Sequence, residues 1–288
     1  MSEWKSIDSL IKSDTDLSEY LYSYDFACRI GLIPESDVED SEKYCREYPE
    51  DTEWVRAPRW CPQYMEIKEA GGQILWRVVE EDYVSVKDYQ TQFGVYKAEN
   101  RGEFGGEIFT PGGKRYDGNY CDVFDHGDKV YAVDSMGHMC FSHFGLNCFG
   151  TADDYTTIYS IGYDLGSAIE EEISGNTINV REQLTYEGRY ITDEQAFVMI
   201  SGYVEEKNKA NSYRHLTRIL RIKDEIVEVY KELPYIISNI TSFVIRGNML
   251  YLGKNNTLEI IDMDTDERSY LTFLDDEARA DMLKNGRR

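Results

Sequence analysis

The chain is poor in the residues that most often carry chemistry. It has four histidines, six cysteines and six prolines in 288 residues. No CxxC or HxxxH pair occurs, so the common zinc fingers and ribbons are excluded. The six cysteines (Cys28, Cys45, Cys61, Cys121, Cys140, Cys148) are too sparse for a disulfide scaffold and are expected as reduced thiols. No GxSxG elbow, HExxH pair or kinase signature is present. No run approaches 18 consecutive apolar residues, so no membrane-spanning helix is expected. The start, Met1 to Asp16, has no basic region followed by an apolar one, so no export signal is expected either. Basic residues are scarce as well. Lys and Arg total 31 against 54 Asp and Glu, a formal net charge of −23. Nucleic-acid binding relies on cations that displace counterions, and anionic membranes attract basic segments. Neither partner suits this chain.

What the chain does have is bulk apolar and aromatic content. Hydrophobic residues make up 41% and aromatics 13%, with 23 Tyr. That is enough for a core and excludes disorder over most of the length.

Three regions follow from the texture. Residues 1–69 are expected as a helical and irregular acidic appendage. Trp4, Ile7, Leu10 and Ile11 recur at helical spacing, and Asp16 with Glu19 has the spacing of a capping box. Glu35–Glu53 holds nine acids and two bases, with prolines at 34 and 49. From residue 70 to 278, short runs of Val, Ile, Tyr, Phe and Thr alternate with Gly, Asn and Asp, which are strand and turn signals. Ten strands are expected: Gln73–Val79, Gly94–Ala98, Lys129–Asp134, Thr156–Ile161, Gln195–Ser201, Leu216–Ile222, Ser242–Ile245, Met249–Leu252, Thr257–Asp262 and Ser269–Phe273. Residues 279–288 are expected as a tail.

The strand region carries a loose repeat. Gly127-Asp-Lys-Val-Tyr131 matches Gly247-Asn-Met-Leu-Tyr251, and Gly72 to Trp76 and Asp193 to Phe197 are weaker copies. Each is a turn, an apolar residue and an aromatic. A second hairpin follows, clearest at Thr257–Phe273. Two hairpins make a four-stranded sheet, whose uncovered faces demand stacking on a neighbour. Over residues 70–275 the sequence resembles the broad class of β-propellers, without a WD or kelch pattern. The fold expected is therefore mainly β: a β-propeller-like series of four-stranded units with a short helical, acidic N-terminal appendage. The alternative is another mixed-β domain.

Three constellations resemble chemistry without completing it. His126, His138, Cys140, His143 and Cys148 are zinc-ligand types at the wrong spacing, and read as a hairpin with core cysteines. Asp262, Asp264 and Asp266 begin a calcium-loop pattern, but Glu267 and Phe273 stand where Gly and Glu are needed. They read as turn residues. Gly112-Gly113-Lys114 ends in Arg115 instead of the Ser or Thr of a phosphate loop, and also reads as a turn. No catalytic residue, metal ligand or cofactor is assigned.

The remaining signal is acid beside tyrosine. Glu80, Glu81, Asp82 and Tyr83 form one patch, and Asp153, Asp154 and Tyr155 another; Asp88-Tyr89 is a shorter case. Tyr is enriched at interface cores, and complementary charge speeds association. These patches are the expected partner-binding residues, and the expected partner is a basic protein. In charge and in lack of chemistry the chain resembles bacterial toxin-immunity proteins, including those of contact-dependent growth inhibition. That resemblance implies a cytoplasmic protein whose partner is a cationic toxin nuclease domain. A propeller-fold glycoside hydrolase or lyase, working through carboxylates in a central funnel, is an alternative, and so is a scaffold protein.

Overall fold

A computed structural model describes residues 3–17, 64–79, 86–138, 141–164, 182–205, 213–223 and 226–285. The chain divides into two compact units. One joins Met1–Glu81 to Asn239–Arg288, and the other is Asp82–Ser238. The boundary expected after residue 69 falls inside a strand of the first unit.

The second unit is three consecutive antiparallel sheets of four strands each. The first runs β5 (Val86–Thr91), β6 (Gly94–Asn100), β7 (Gly106–Phe109) and β8 (Arg115–Asp117). The next holds β9 (Tyr120–His126), β10 (Lys129–His138), β11 (Phe141–Phe149) and β12 (Tyr155–Asp164). The last holds β13 (Glu182–Ile191), β14 (Ala196–Glu205), β15 (Tyr213–Lys223) and β16 (Ile226–Leu233). Each sheet is a plain meander, so every strand pairs with its sequence neighbour.

The middle sheet is covered on both faces. Tyr96, Ala98 and Ile108 of the first sheet pack on Tyr120, Val123, Val130, Ala132 and Phe149. Tyr131, Val133, Phe144, Leu146 and Cys148 face Leu184, Val198, Ile200, Leu216 and Leu220 of the last. Burial on both faces removes the polar half of the period-two pattern. That is why Val130-Tyr-Ala-Val133 reads as an unbroken apolar run and is buried throughout.

The first unit has two sheets. One is β1 (Lys5–Ser6), β4 (Gln73–Val79) and β3 (Tyr64–Ala70), in that order. The other runs β17 (Ser242–Arg246), β18 (Met249–Gly253), β19 (Thr257–Asp262) and β20 (Arg268–Thr272), and then adds β2 (Ile11–Ser13) at its edge. The β3 backbone meets this sheet directly: Met65 N donates to Lys254 O at 2.9 Å and Ile67 N to Ser242 Oγ at 2.7 Å. Gly253 allows the approach, since a Cβ there would strike the Met65 carbonyl oxygen.

All ten expected strands lie in observed strands, to within one residue at the ends. The four repeat copies occupy like places, each the turn of an antiparallel hairpin and the aromatic just after it.

The helical start is corrected. Residues 5–13 are strand, one 3₁₀ turn at Ile7–Ser9, and strand again. The apolar spacing mimics a helix because each strand is two or three residues long, too short to show its own period. Their backbone groups find partners at distant edges instead: Lys5 and Ser6 lie opposite Trp76 and Leu75, and Ile11 lies opposite Thr272. Asp16 is engaged across the first unit. Its carboxylate accepts from Lys254 Nζ at 2.9 Å and Thr257 Oγ1 at 3.2 Å. Glu19 and Glu35–Glu53 lie outside the described residues. At the other end, α1 (Asp276–Asn285) occupies most of the segment expected as a tail. Asp275 caps it, accepting from Ala278 N at 2.8 Å, and two acids follow in the first turn. Met282 anchors it against Leu17 and Leu274. No helix among the described residues is long and apolar enough to cross a membrane.

Candidate functional site

Asp153, Asp154 and Tyr155 sit together where the β11–β12 turn meets the β7–β8 turn. Only one of the three faces outward. The Asp153 carboxylate accepts from Thr110 Oγ1, and its carbonyl accepts from Tyr116 Oη. Tyr155 packs edge-on against Tyr116, with centroids 4.5 Å apart, and against Phe149 at 5.4 Å. Asp154 is exposed and pairs with exposed Lys114 at 2.7 Å. An exposed pair of this kind contributes little to stability. Gly112 lies against the Asp153 carboxylate, which a side chain there would have to push aside. The glycine-rich stretch is thus turn, as expected. Glu80, Glu81, Asp82 and Tyr83 lie outside the described residues.

The third acid–tyrosine pair also turns inward at its ring. Tyr89 Oη donates to Cys121 O at 2.9 Å. Burial, with Asp122 and Cys121 adding, raises its pKa far above the ordinary tyrosine range. Nearby, Asp122 accepts from both Tyr186 Oη and Arg189 Nη1. The Arg189 guanidinium lies 5.0 Å from the Phe124 ring centre and also donates to Val123 O at 3.2 Å. Burial keeps the Tyr186 hydroxyl protonated, and the Asp122 charge adds to that. The same burial pushes the Cys121 thiol up, which suppresses the thiolate a nucleophile needs. A second ionic cluster centres on Arg218, which reaches Glu182 at 2.9 Å, Glu232 at 2.8 Å and Tyr159 Oη at 3.2 Å.

His143 has a carboxylate partner. His143 on β11 meets Asp134 on β10, Nε2 to Oδ1, at 2.7 Å. The same oxygen accepts the Asn119 backbone N–H at 2.6 Å. A bulge between Val133 and Asp134 shifts the register there and sets Asp134 beside Asn119. The hydrogen bond to Asp134 raises the His143 pKa, against an opposing effect of burial. Chemically the pair is a proton held between an imidazole and a carboxylate.

The zinc-like residues of the sequence do not converge among the described residues. Cys148 points into the core between β9–β12 and β13–β16, while His143 is held by Asp134. His126 stands 6.4 Å from the Tyr131 ring. Cys140 lies outside the described residues. No group of three or more His, Cys, Asp or Glu among the described residues could hold a metal ion. The aspartates at 262–266 form a turn, as expected. Asp262 accepts from Asp264 N at 2.9 Å and Thr265 N at 3.2 Å, and these backbone bonds hold its carboxyl below the usual range.

Sequence reasoning missed Asp122, Asp134 and Arg189. Nothing in a single sequence marks one acid in 54 as buried. The weak signal was alternation: Asp134 interrupts an apolar run where the next residue should be outward or paired.

No protein-family model matches the chain, and no curated protein matches it. Among solved structures it is similar to the computationally designed Ika4 protein, with 9% identity and a TM-score of 0.34 over 64% of this chain and 95% of that one. It is similar to the AfRom2 CNH domain at 9% identity and a TM-score of 0.36, covering 77% and 62%. The computationally designed Ika8 protein gives 7% identity and a TM-score of 0.18, covering 70% and 87%. With these scores, none of the three bears on function.

Proposed function

We propose that the chain is a non-enzymatic, acidic protein-binding module whose partner is a basic protein. We propose further that it acts in the cytoplasm as an immunity protein, covering the active cleft of a cationic nuclease-type toxin. The platform on this reading is a propeller-like series of the four-stranded sheets.

The supporting observation is the charge left after pairing. Most described guanidinium groups already have a carboxylate partner: Arg77, Arg101, Arg115, Arg189, Arg218, Arg221, Arg268 and Arg279. Lys5, Lys68 and Lys87 lie over aromatic rings. Pairing leaves the sum of charges unchanged, so the excess of 23 acids over bases is carried as net negative potential. A field of that sign steers cationic partners and repels nucleic acid.

The test is calorimetric titration with purified basic bacterial nuclease domains at low and moderate salt. Binding that weakens at least tenfold between about 50 and 200 mM salt is expected. The toxin's nuclease activity is expected to fall in step with occupancy. The reading fails if no basic candidate binds at low salt, or if the bound nuclease stays fully active.

A further inference from the structure

We infer that Lys254 and Asp16 are a self-modification site: an isopeptide bond forms between Lys254 Nζ and Asp16 Cγ, with Glu259 moving the proton. This goes beyond partner binding and is independent of it.

An amine and two carboxylates meet here away from water. Lys254 Nζ lies 2.9 Å from Asp16 Oδ2 and 3.0 Å from Glu259 Oε2. Lys254 is 9% exposed, Glu259 1%, and the Asp16 side chain 11%. Each of the three is held by its surroundings. Lys254 N donates to Thr257 O at 3.0 Å, and the Lys254 carbonyl accepts from Met65 N at 2.9 Å. Asp16 stands between Ser13, which lies opposite Tyr270, and buried Leu17, which packs with Met282. Glu259 is inside β19, and Arg268 Nη1 holds its other oxygen at 3.1 Å. The amine and the Asp16 carboxyl are thus two reactants with little freedom left to lose.

A buried ion pair alone is a costly way to join two segments, since apolar side chains of like volume often join them as well or better. The chemistry this arrangement allows is amide formation. The charged pair is the resting form, and its neutral tautomer is the reactive one. A site shielded from water favours that tautomer more than bulk solvent does, because it removes two charges at once. Glu259 Oε2 takes a proton from Nζ, and the freed lone pair attacks Asp16 Cγ. As the N–C bond forms, negative charge gathers on Oδ1, where Thr257 Oγ1 already donates at 3.2 Å. The Cγ–Oδ2 bond then breaks. Two ammonium protons leave with Oδ2 as water, one of them by way of Glu259, and the third stays on the amide nitrogen. Nothing is oxidised or reduced, and Glu259 ends as it began. One neutral amide replaces two buried charges. The link spans 238 residues and fastens β2, an edge strand of three residues, to its sheet.

The experiment is intact-mass spectrometry of the full chain, freshly purified and after prolonged incubation at neutral pH, followed by peptide mapping. The expected result is a chain lighter by one water. Its tryptic digest should contain Ser13–Arg29 joined to Gly247–Arg268, uncut after Lys254. Lys254→Arg keeps the charge but lacks the amine, and should retain its full sequence mass. Glu259→Gln keeps the size but loses the proton carrier, and should form the bond about 100-fold more slowly. A native chain that keeps its full sequence mass throughout overturns the inference. So does a lost water without a link between the two peptides, or one lost equally from Lys254→Arg. Bond formation in Glu259→Gln at the native rate overturns the part given to Glu259.

Discussion

Loss of Lys254 should destabilise the first unit strongly. Its ammonium lies 2.9 Å from Asp16 Oδ2 and 3.0 Å from Glu259 Oε2. Glu259 is 1% exposed, and its other oxygen meets Arg268 Nη1 at 3.1 Å. Burial pulls the Lys254 pKa down, but Glu259 and Asp16 outweigh it, so the group stays charged. Lys254→Met keeps most of the aliphatic stem and removes the charge. It strands one carboxylate oxygen of Glu259 and removes a charged donor from Asp16, which keeps its bond from Thr257. Breaking a buried pair from one side costs about 3–5 kcal/mol. With an m value of about 2 kcal/mol/M in urea, the midpoint should fall by about 1.5–2.5 M. The assay can be specific to this unit. All four tryptophans (Trp4, Trp54, Trp60, Trp76) fall in the range Met1–Glu81, and buried Trp76 stacks on Phe273 with centroids 5.6 Å apart. Urea titration followed by tryptophan fluorescence therefore reads the unit that holds Lys254. A midpoint shift below about 0.5 M would refute the claim that this network is buried and coupled.

Two further outcomes follow from the second unit. His143 has a folded pKa raised above its ordinary 6.5 by Asp134. The proton is thus bound more tightly in the folded state, and the stabilisation is fully present below pH 6.5. It is lost as pH rises through the folded value. The stability gap between the native chain and His143→Gln should be widest near pH 5.5 and narrow by pH 8.5, with NMR titration of the ring as the direct check; a gap that widens with pH contradicts the pairing. Gly202 has φ of 151°, and a Cβ there would run into the Gln183 carbonyl oxygen on the neighbouring strand. Gly202→Ala should cost about 1–3 kcal/mol in backbone strain and speed amide exchange along β13 and β14. Unchanged exchange there would show that the strand shifts freely.

The strands were legible in the sequence wherever local chemistry decided them. Gly127, Gly247 and Gly72 mark turns by their own conformational freedom, and the aromatic just after each turn goes inward. Trp76, Tyr131 and Phe197 are buried accordingly. Segments whose partners lie far along the chain were not legible. Ile11–Ser13 becomes a strand only because β20 offers an open edge some 260 residues away, and no local pattern of three residues can announce that. The same distance hid the candidate site. Composition alone determines that the molecule is strongly negative, because charge is a sum over residues and needs no geometry. Which acids remain free for a partner is a matter of neighbours. Asp153 and Asp154 are adjacent in sequence, yet one turns to Thr110 and the other to Lys114 at the surface. Tertiary structure decided that, since an ion pair depends on distance through space and on exclusion of water.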